Sequence, residues 1–169
     1  MNQLNSTEML HDMFNPIDTI EEFLTAQDWI FSRVSEDEIN LQVSGQFCDY
    51  ELLFQWRSDH NAMEFTCAYN LTIAAPNDER IVRTLARINS DLWMGHFEIE
   101  PASKAPRFRY TSLCRNNLDG VGMNEISEMM ETALHYCERF YAAFDMLSHN
   151  STCASDNLEL AMMDTAGCS

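Results

Sequence analysis

Apolar side chains recur at every second position over most of residues 39–71, which limits the chain to a few architectures. The alternating residues are Ile39, Leu41, Val43, Tyr50, Leu52, Phe54, Trp56, Met63, Phe65, Cys67, Tyr69 and Leu71. Successive side chains of a strand point to opposite faces, so this pattern predicts strands with one apolar face. Phe31 and Val34 indicate a further short strand, Gly45 indicates a bulge, and residues 58–61 are typical of a turn. We therefore expect an antiparallel meander whose apolar face is covered by helices.

Three stretches have the spacing of amphipathic helices. Asn15-Pro16 begins the first, which ends near Gln27, and residues 76–79 begin the second, where Val82 widens the apolar stripe. The third runs from about Asn124 to Ser148. Its apolar residues repeat at spacings of four and three: Ile126, Met130, Ala133, Cys137, Phe140, Phe144 and Leu147. Since one sheet face does not cover so broad an arc, we expect the tail, an identical subunit or a partner to cover the remainder.

Two more strands complete the predicted domain. Phe97 and Ile99 predict the fifth strand and residues 107–115 the sixth. The order is α-β-β-β(-β)-α-β-β-α, an α+β fold whose antiparallel or mixed sheet of five to six strands has helices mainly on one face. We expect a flexible leader over residues 1–14, a single domain over 15–149, and a tail over 150–169 that can form a short helix.

Charge and cysteine usage indicate a compartment and exclude some partners. The chain has 27 acidic and 10 basic residues, a formal charge of −17. Such a chain is repelled by nucleic-acid phosphates and anionic lipid, so we expect no nucleic-acid partner and no membrane partner. Met1–Asn5 contains no basic residue and indicates no secretory signal. The six cysteines then favour reduced thiols and a cytoplasmic protein.

The sequence lacks the patterns that usually mark catalysis. H-E-x-x-H, C-x-x-C and G-x-S-x-G are absent, and Gly120-Val121-Gly122 lacks the third glycine of a dinucleotide loop. Asp49 beside Cys48 raises the expected pKa of that thiol. The carboxylate pairs Glu98/Glu100 and Asp49/Glu51 are typical of a solvated sheet face. We therefore expect no catalytic residue, no metal, no cofactor and no enzyme activity.

Arginines form two clusters. Arg80, Arg83 and Arg87 share one face of the second helix, where Glu79 and Arg83 are a favourable i,i+4 pair. The second cluster lies on one side of the sixth strand and consists of Arg107, Arg109 and Arg115. These side chains could pair with local carboxylates or hold an acidic segment of a partner.

Several segments together resemble a known bacterial family. They are Cys48–Trp56, Phe65–Tyr69, Asn89 with Leu92–Phe97, and Cys137–Tyr141 with Phe144. From Asn15 to His149 the chain resembles the YbjN family, described as sensory transduction regulators, whose fold is similar to that of type III secretion chaperones. The family has no assigned catalytic residues, so none are transferred. Ala142 stands where the family has proline, so we expect a straighter long helix here.

Two functions follow as hypotheses. The first is a non-enzymatic cytoplasmic adaptor or chaperone-like regulatory protein that binds an unidentified protein partner through a sheet face, a sheet edge or the long helix. The resemblance also implies a homodimer, since chaperones of this fold are commonly dimers. The second is a small-ligand sensor with a pocket between sheet and helix. The candidate contacts for a partner or ligand are Trp56, Trp93, Arg109 and Tyr110.

Overall fold

The computed structural model describes residues 15–114 and 122–149, which form three helices and six strands. In chain order these are α1 (Pro16–Ala26), β1 (Phe31–Ser35), β2 (Glu38–Ser44), β3 (Asp49–Arg57), β4 (Ala62–Tyr69), α2 (Glu79–Ser90), β5 (His96–Ile99), β6 (Pro106–Leu113) and α3 (Met123–Ser148). This confirms the predicted α+β fold and order, with the fourth strand of the meander present. The predicted leader, Arg115, the turn over residues 117–121 and the tail helix lie outside the described residues.

All six strands belong to one antiparallel sheet in the order β1-β2-β3-β4-β6-β5. β1 to β4 follow one another as a meander, while the β5–β6 hairpin turns back so that β6 pairs with β4. The register aligns apolar residues of all six strands in one row: Phe31, Leu41, Leu52, Cys67, Phe108 and Phe97. Directly opposed residues share a face of the sheet, so the period-two pattern becomes a continuous apolar layer.

The helices cover this apolar face. α1 packs on β2 and β3, α3 packs on β4 and β6, and the two helices contact each other. α2 lies against β5, where the Asn89 side chain accepts a hydrogen bond from the Phe97 amide at 2.7 Å and donates one to the Phe97 carbonyl at 3.0 Å. Aromatic side chains fill much of the space between the layers, among them the fully buried Phe54, Phe65 and Phe140.

The broad apolar arc of α3 is covered largely from within the chain. Ile17, Ile20 and Leu24 of α1 belong to the same buried cluster as Met130 and Ala133 of α3. Further along, the Phe47 ring stacks on Tyr141 with centroids 5.2 Å apart. The sequence does not show which helices become neighbours, so it did not reveal that α1 covers part of this arc. That the tail, a second subunit or a partner covers the remainder stays a prediction.

Two local predictions were wrong. Gly45 is not a bulge in a strand, because β2 ends at Ser44 and Gly45 lies in the loop that leads to β3. Val82 does not extend the buried stripe of α2, since it is 54% exposed. The reason is that α2 packs mainly against the short strand β5 and not across the sheet, so a narrower stripe suffices. α3 runs without interruption through Ala142, and its being straighter than in the family stays a prediction.

Candidate functional site

The sheet face opposite the helices is polar and has small residues near its centre. One cross-strand row contains Gln42, Glu51, Ala68, Arg107 and Glu98. The next row contains Ser32, Asn40, Leu53, Thr66, Arg109 and His96. We call this side of the sheet, of which these are the two central rows, the open face. Thr66 is buried in the middle of this face although it points away from the helices, because its neighbours are larger.

A groove of about 920 Å³ lies at one end of the open face, and we call it the sheet groove. Its floor comes from four strands and includes Asn40, Gln42, Asp49, Glu51, Leu53, Thr66, Ala68 and Arg107. Its walls come from the segments around Ile30, Leu71 and Ser103. No residue of a described helix lines it, so the chain described here leaves it uncovered.

The arginines of the open face are paired with carboxylates of the same face. Arg107 contacts Glu98 at 2.6 Å, and Arg109 contacts Glu64 at 2.7 Å and Glu98 at 3.7 Å. Arg57 adds a contact to Glu64 at 3.7 Å. Of the two interpretations of the sixth-strand arginines, pairing with local carboxylates is therefore what the structure shows for Arg107 and Arg109.

The helix arginines with described contacts are also paired locally. The predicted pair between Glu79 and Arg83 is present at 2.5 Å, and Arg80 contacts the N-cap residue Asp78 at 3.2 Å. These pairs stabilise the first turn of α2, where the Asp78 carboxylate also accepts a hydrogen bond from the Arg80 amide. The helix cluster is therefore explained in part by capping.

The carboxylates of the sheet groove, unlike those of Glu64 and Glu98, have hydroxyl or amide donors or no described partner in place of an arginine. The Asp49 carboxylate accepts a hydrogen bond from the Ser44 hydroxyl at 2.7 Å. The Glu100 carboxylate accepts one from the Ser103 amide at 2.5 Å, which lowers the pKa of Glu100. Within residues 15–114 and 122–149, no lysine or arginine pairs with Asp49 or Glu51. These two groups thus remain as uncompensated negative charge in the groove.

A second groove of about 490 Å³ lies between β6 and the first half of α3. Its apolar lining includes Trp93, Met94 and Tyr110, and the carboxylates of Glu125 and Glu128 lie at its rim. Trp93 is 78% exposed, so its ring presents a large apolar surface to solvent. We call this the helix groove.

The structure brings together only two of the four candidate contact residues. Trp93 and Tyr110 both line the helix groove. Trp56 is buried on the apolar face of β3, and Arg109 lies on the open face with its glutamate partners. Arg109 and Tyr110 are adjacent in β6 and must therefore point to opposite faces. Whether any of the four contacts a partner stays a prediction.

Sequence reasoning did not single out Asn40 or Gln42, and it assigned Glu51 only to a solvated sheet face. The register places all three beside one another on the floor of the sheet groove. Polar residues on the solvent side of a strand are common and carry no signal alone. The small and apolar residues on the same side, Leu53 and Ala68, were the available signal, because they lower the middle of the face between larger neighbours.

The thiols and imidazoles of the described chain offer no reactive site. Burial is the main cause of the raised pKa of Cys48. The sequence suggested the adjacent Asp49 carboxylate as the cause, but Asp49 is not among the causes of the shift. Burial likewise raises the pKa of Cys114. Over residues 15–114 and 122–149, no three ligating side chains are grouped in a way that could hold a metal ion.

Comparison with known proteins agrees with this architecture. The model of the YbjN family, described as "Putative bacterial sensory transduction regulator", matches residues 16–146. The chain belongs to the YbjN family. A chain in the crystal structure of the ExsC–ExsE complex matches this YbjN-family chain with a TM-score of 0.55 and 14% identity, covering 77% of this chain and 91% of that one. No curated protein matches.

A second solved structure comes from the family itself. It is the crystal structure of YbjN, a transcription regulator candidate from E. coli, with a TM-score of 0.49 and 11% identity over 71% of this chain and 84% of that chain. Among the helices that the structure describes, none combines the length and apolar character needed to span a bilayer.

Proposed function

We propose that this YbjN-family chain is a cytoplasmic, non-enzymatic regulatory adaptor with a chaperone-like fold, and that it binds a protein partner through the open face. The main support is the sheet groove of about 920 Å³, which the described helices leave uncovered. A six-stranded sheet with helices on one side offers a broad, rigid surface for a partner. The family description as a regulator and the fold shared with a chain of the ExsC–ExsE complex agree with such a role.

The open-face side chains favour contact over catalysis. The glutamates nearest to an arginine, Glu64 and Glu98, are held in ion pairs. A pair of carboxylates that acts as acid and base needs environments that separate the two pKa values. Asp49 and Glu51 share one strand and are both exposed to solvent. Their role in the proposal is to bind.

The proposed partner can be sought by affinity capture from cells that produce the protein, followed by mass spectrometry. The captured protein is then purified and titrated against the wild-type chain. We expect a saturable complex of defined stoichiometry that Leu53→Arg weakens, because a charged side chain would enter the groove floor. Val82→Arg is the matched control, since Val82 is exposed on α2. If no purified candidate binds, or if both variants weaken binding equally, the open face is not the binding surface.

The proposal includes a single domain over residues 15–149 that forms a homodimer. Its support is the part of α3 that the described residues cover incompletely, where Leu134 and Leu147 stay half-buried. A dimer held by apolar contacts should persist or tighten as salt screens the charge of −17 on each chain. Light scattering after size exclusion, at low and high salt, measures this. The mass of one chain under both conditions would contradict the dimer.

The helix groove supports a second candidate function, a small-ligand sensor. Trp93 and Tyr110 provide flat apolar surface there, and Glu125 and Glu128 provide negative charge at the rim. Such a lining suits an organic cation, which both the ring faces and the carboxylates attract. A thermal-shift screen of metabolites tests the idea. We expect a stabilising compound whose effect is lost in Trp93→Ala, and a screen without any such compound would count against the sensor.

A further inference from the structure

Asp49 and Glu51 are negative charges of the sheet groove that the described chain does not balance. The open-face arginines are already engaged, because Arg57, Arg107 and Arg109 share Glu64 and Glu98. Glu51 lies in the same cross-strand row as Arg107, but Ala68 stands between them. Two strand spacings separate the backbones of Glu51 and Arg107 by about 10 Å, and Arg107 contacts Glu98 instead.

The groove also offers apolar surface next to these charges. Ile30 is 91% exposed at its wall, and Leu53 and Leu71 are half-buried beside it. The short side chains of Thr66 and Ala68 leave room above the middle of the floor. An extended segment laid across these strands would meet carboxylates and aliphatic groups in turn. Positively charged residues that alternate with aliphatic ones match this surface.

The chain itself is a poor source of such a segment. Residues 1–14 and 150–169 contain acidic residues but neither lysine nor arginine. A second copy of the chain brings the same two terminal segments and is therefore no better source. A cationic segment must therefore come from a different protein.

We propose that the sheet groove binds an extended, positively charged segment of a different protein, with Asp49 and Glu51 contacting its lysine or arginine side chains and Ile30 and Leu53 contacting its aliphatic ones. This inference rests on the proposed function and adds the chemistry of the partner. Arginine is the better fit of the two cations, because its planar group can contact a carboxylate with two hydrogen bonds.

The test uses the full-length chain and two fluorescein-labelled peptides. In one peptide arginine alternates with valine, and in the other glutamine replaces arginine. Fluorescence anisotropy measures Kd for the wild type, for Asp49→Asn/Glu51→Gln, and for the control Glu22→Gln/Glu36→Gln. The control removes the same charge from exposed positions outside the groove. We expect the groove variant to weaken binding of the arginine peptide about tenfold and the control less than about twofold.

A second measurement locates the peptide. In ¹⁵N-labelled protein the side-chain amide signals of Asn40 and Gln42 should shift on titration, because both groups line the groove floor. Rising salt should weaken the complex. Unchanged thermal melting of both double variants shows that they fold.

Three results would overturn the inference. They are equal weakening in the groove and control variants, equal binding of the glutamine peptide, and no binding of the arginine peptide. None of these affects the proposed function, which depends on the captured partner and on Leu53→Arg. If that partner binds Asp49→Asn/Glu51→Gln with unchanged Kd, the adaptor role stands and the cationic segment is rejected.

Discussion

The thiol groups of Cys67 on β4 and Cys137 on α3 lie 3.5 Å apart, in contact but not bonded. A disulfide would bring the sulfur atoms to about 2.05 Å. Both residues are fully buried where α3 crosses the sheet, and the Tyr69 hydroxyl donates a hydrogen bond to the Cys137 carbonyl at 2.9 Å beside them. This contact joins the longest helix to the centre of the sheet, which makes both cysteines core residues.

We expect the thiols of Cys67 and Cys137 to be unreactive in the folded protein. Burial raises the pKa of Cys137 well above its usual range, so the reactive thiolate is scarce, and neither sulfur is open to a reagent. Titration with a thiol reagent after denaturation should find six thiols in freshly purified protein. Fewer than six, or native labelling of Cys137 as fast as that of the half-buried Cys48, would contradict the prediction.

Stability should fall at alkaline pH. Burial raises the folded-state pKa of Tyr69 and Cys137, so folding favours their neutral forms. In the unfolded chain the tyrosine ionises at about pH 10 and the cysteine at about pH 8.5. Their contribution to the free energy of unfolding is thus complete below about pH 8.5 and is lost as the pH rises further. Urea titrations at increasing pH measure the loss, which Tyr69→Phe should reduce. A constant free energy of unfolding up to about pH 11 would disprove it.

Gly95 should not tolerate a side chain. Its φ is +67°, and an added Cβ would lie 2.2 Å from the Phe108 ring and 2.8 Å from the Arg109 carbonyl oxygen. Backbone strain and overpacking together should cost Gly95→Ala about 2–4 kcal/mol of unfolding free energy. Gly122→Ala is the control and should cost less than about 1 kcal/mol, because nothing lies within 4 Å of its added Cβ and only its N-cap position before α3 disfavours alanine. Equal urea midpoints for the two variants would show that the turn before β5 is placed wrongly.

Adjacent residues of β3 should differ sharply in their tolerance of alanine. Phe54 is fully buried against Phe65, with ring centroids 4.8 Å apart, so Phe54→Ala should cost about 3–5 kcal/mol. Gln55 points to the other face, where it donates a hydrogen bond to Glu38 at 3.0 Å, and Gln55→Ala should cost about 0.5 kcal/mol. Chemical denaturation of both variants measures the difference. Similar costs would mean that both faces of β3 are buried.

Local sequence patterns were sufficient to predict most of the helices and strands. The alternation from Tyr50 to Trp56 predicted both the strand and its buried side, because strand periodicity depends only on neighbouring residues. Asn15-Pro16 likewise predicted the start of α1, where the Asn15 side chain accepts a hydrogen bond from the Ile17 amide at 2.9 Å. The resemblance to the YbjN family predicted the fold, which the family match and the likeness to a chain of the ExsC–ExsE complex confirm.

The candidate site could be predicted only in fragments. Trp93 and Tyr110 were named together and do meet in the helix groove. Arg109 was named with them but pairs with Glu64, which is 45 positions away in the chain. That contact depends on the register between β4 and β6, and no local spacing encodes it. Asp49 and Glu51 were noted as a pair on a solvated face, but the groove around them likewise depends on pairing between distant strands.

The sequence by itself determined the elements, their order and their apolar faces, since these follow from spacings of two to four residues and from capping side chains. Only the tertiary structure decided which surfaces remain uncovered. The placement of α1 beside α3 covers part of the apolar arc of the long helix from within the chain. The pairing of β6 with β4 engages Arg109 with Glu64 and leaves Asp49 and Glu51 uncompensated at the other side of the open face. Both outcomes depend on contacts between residues far apart in the chain. The relative positions of these residues are set only when the strands pair and the helices pack on the sheet.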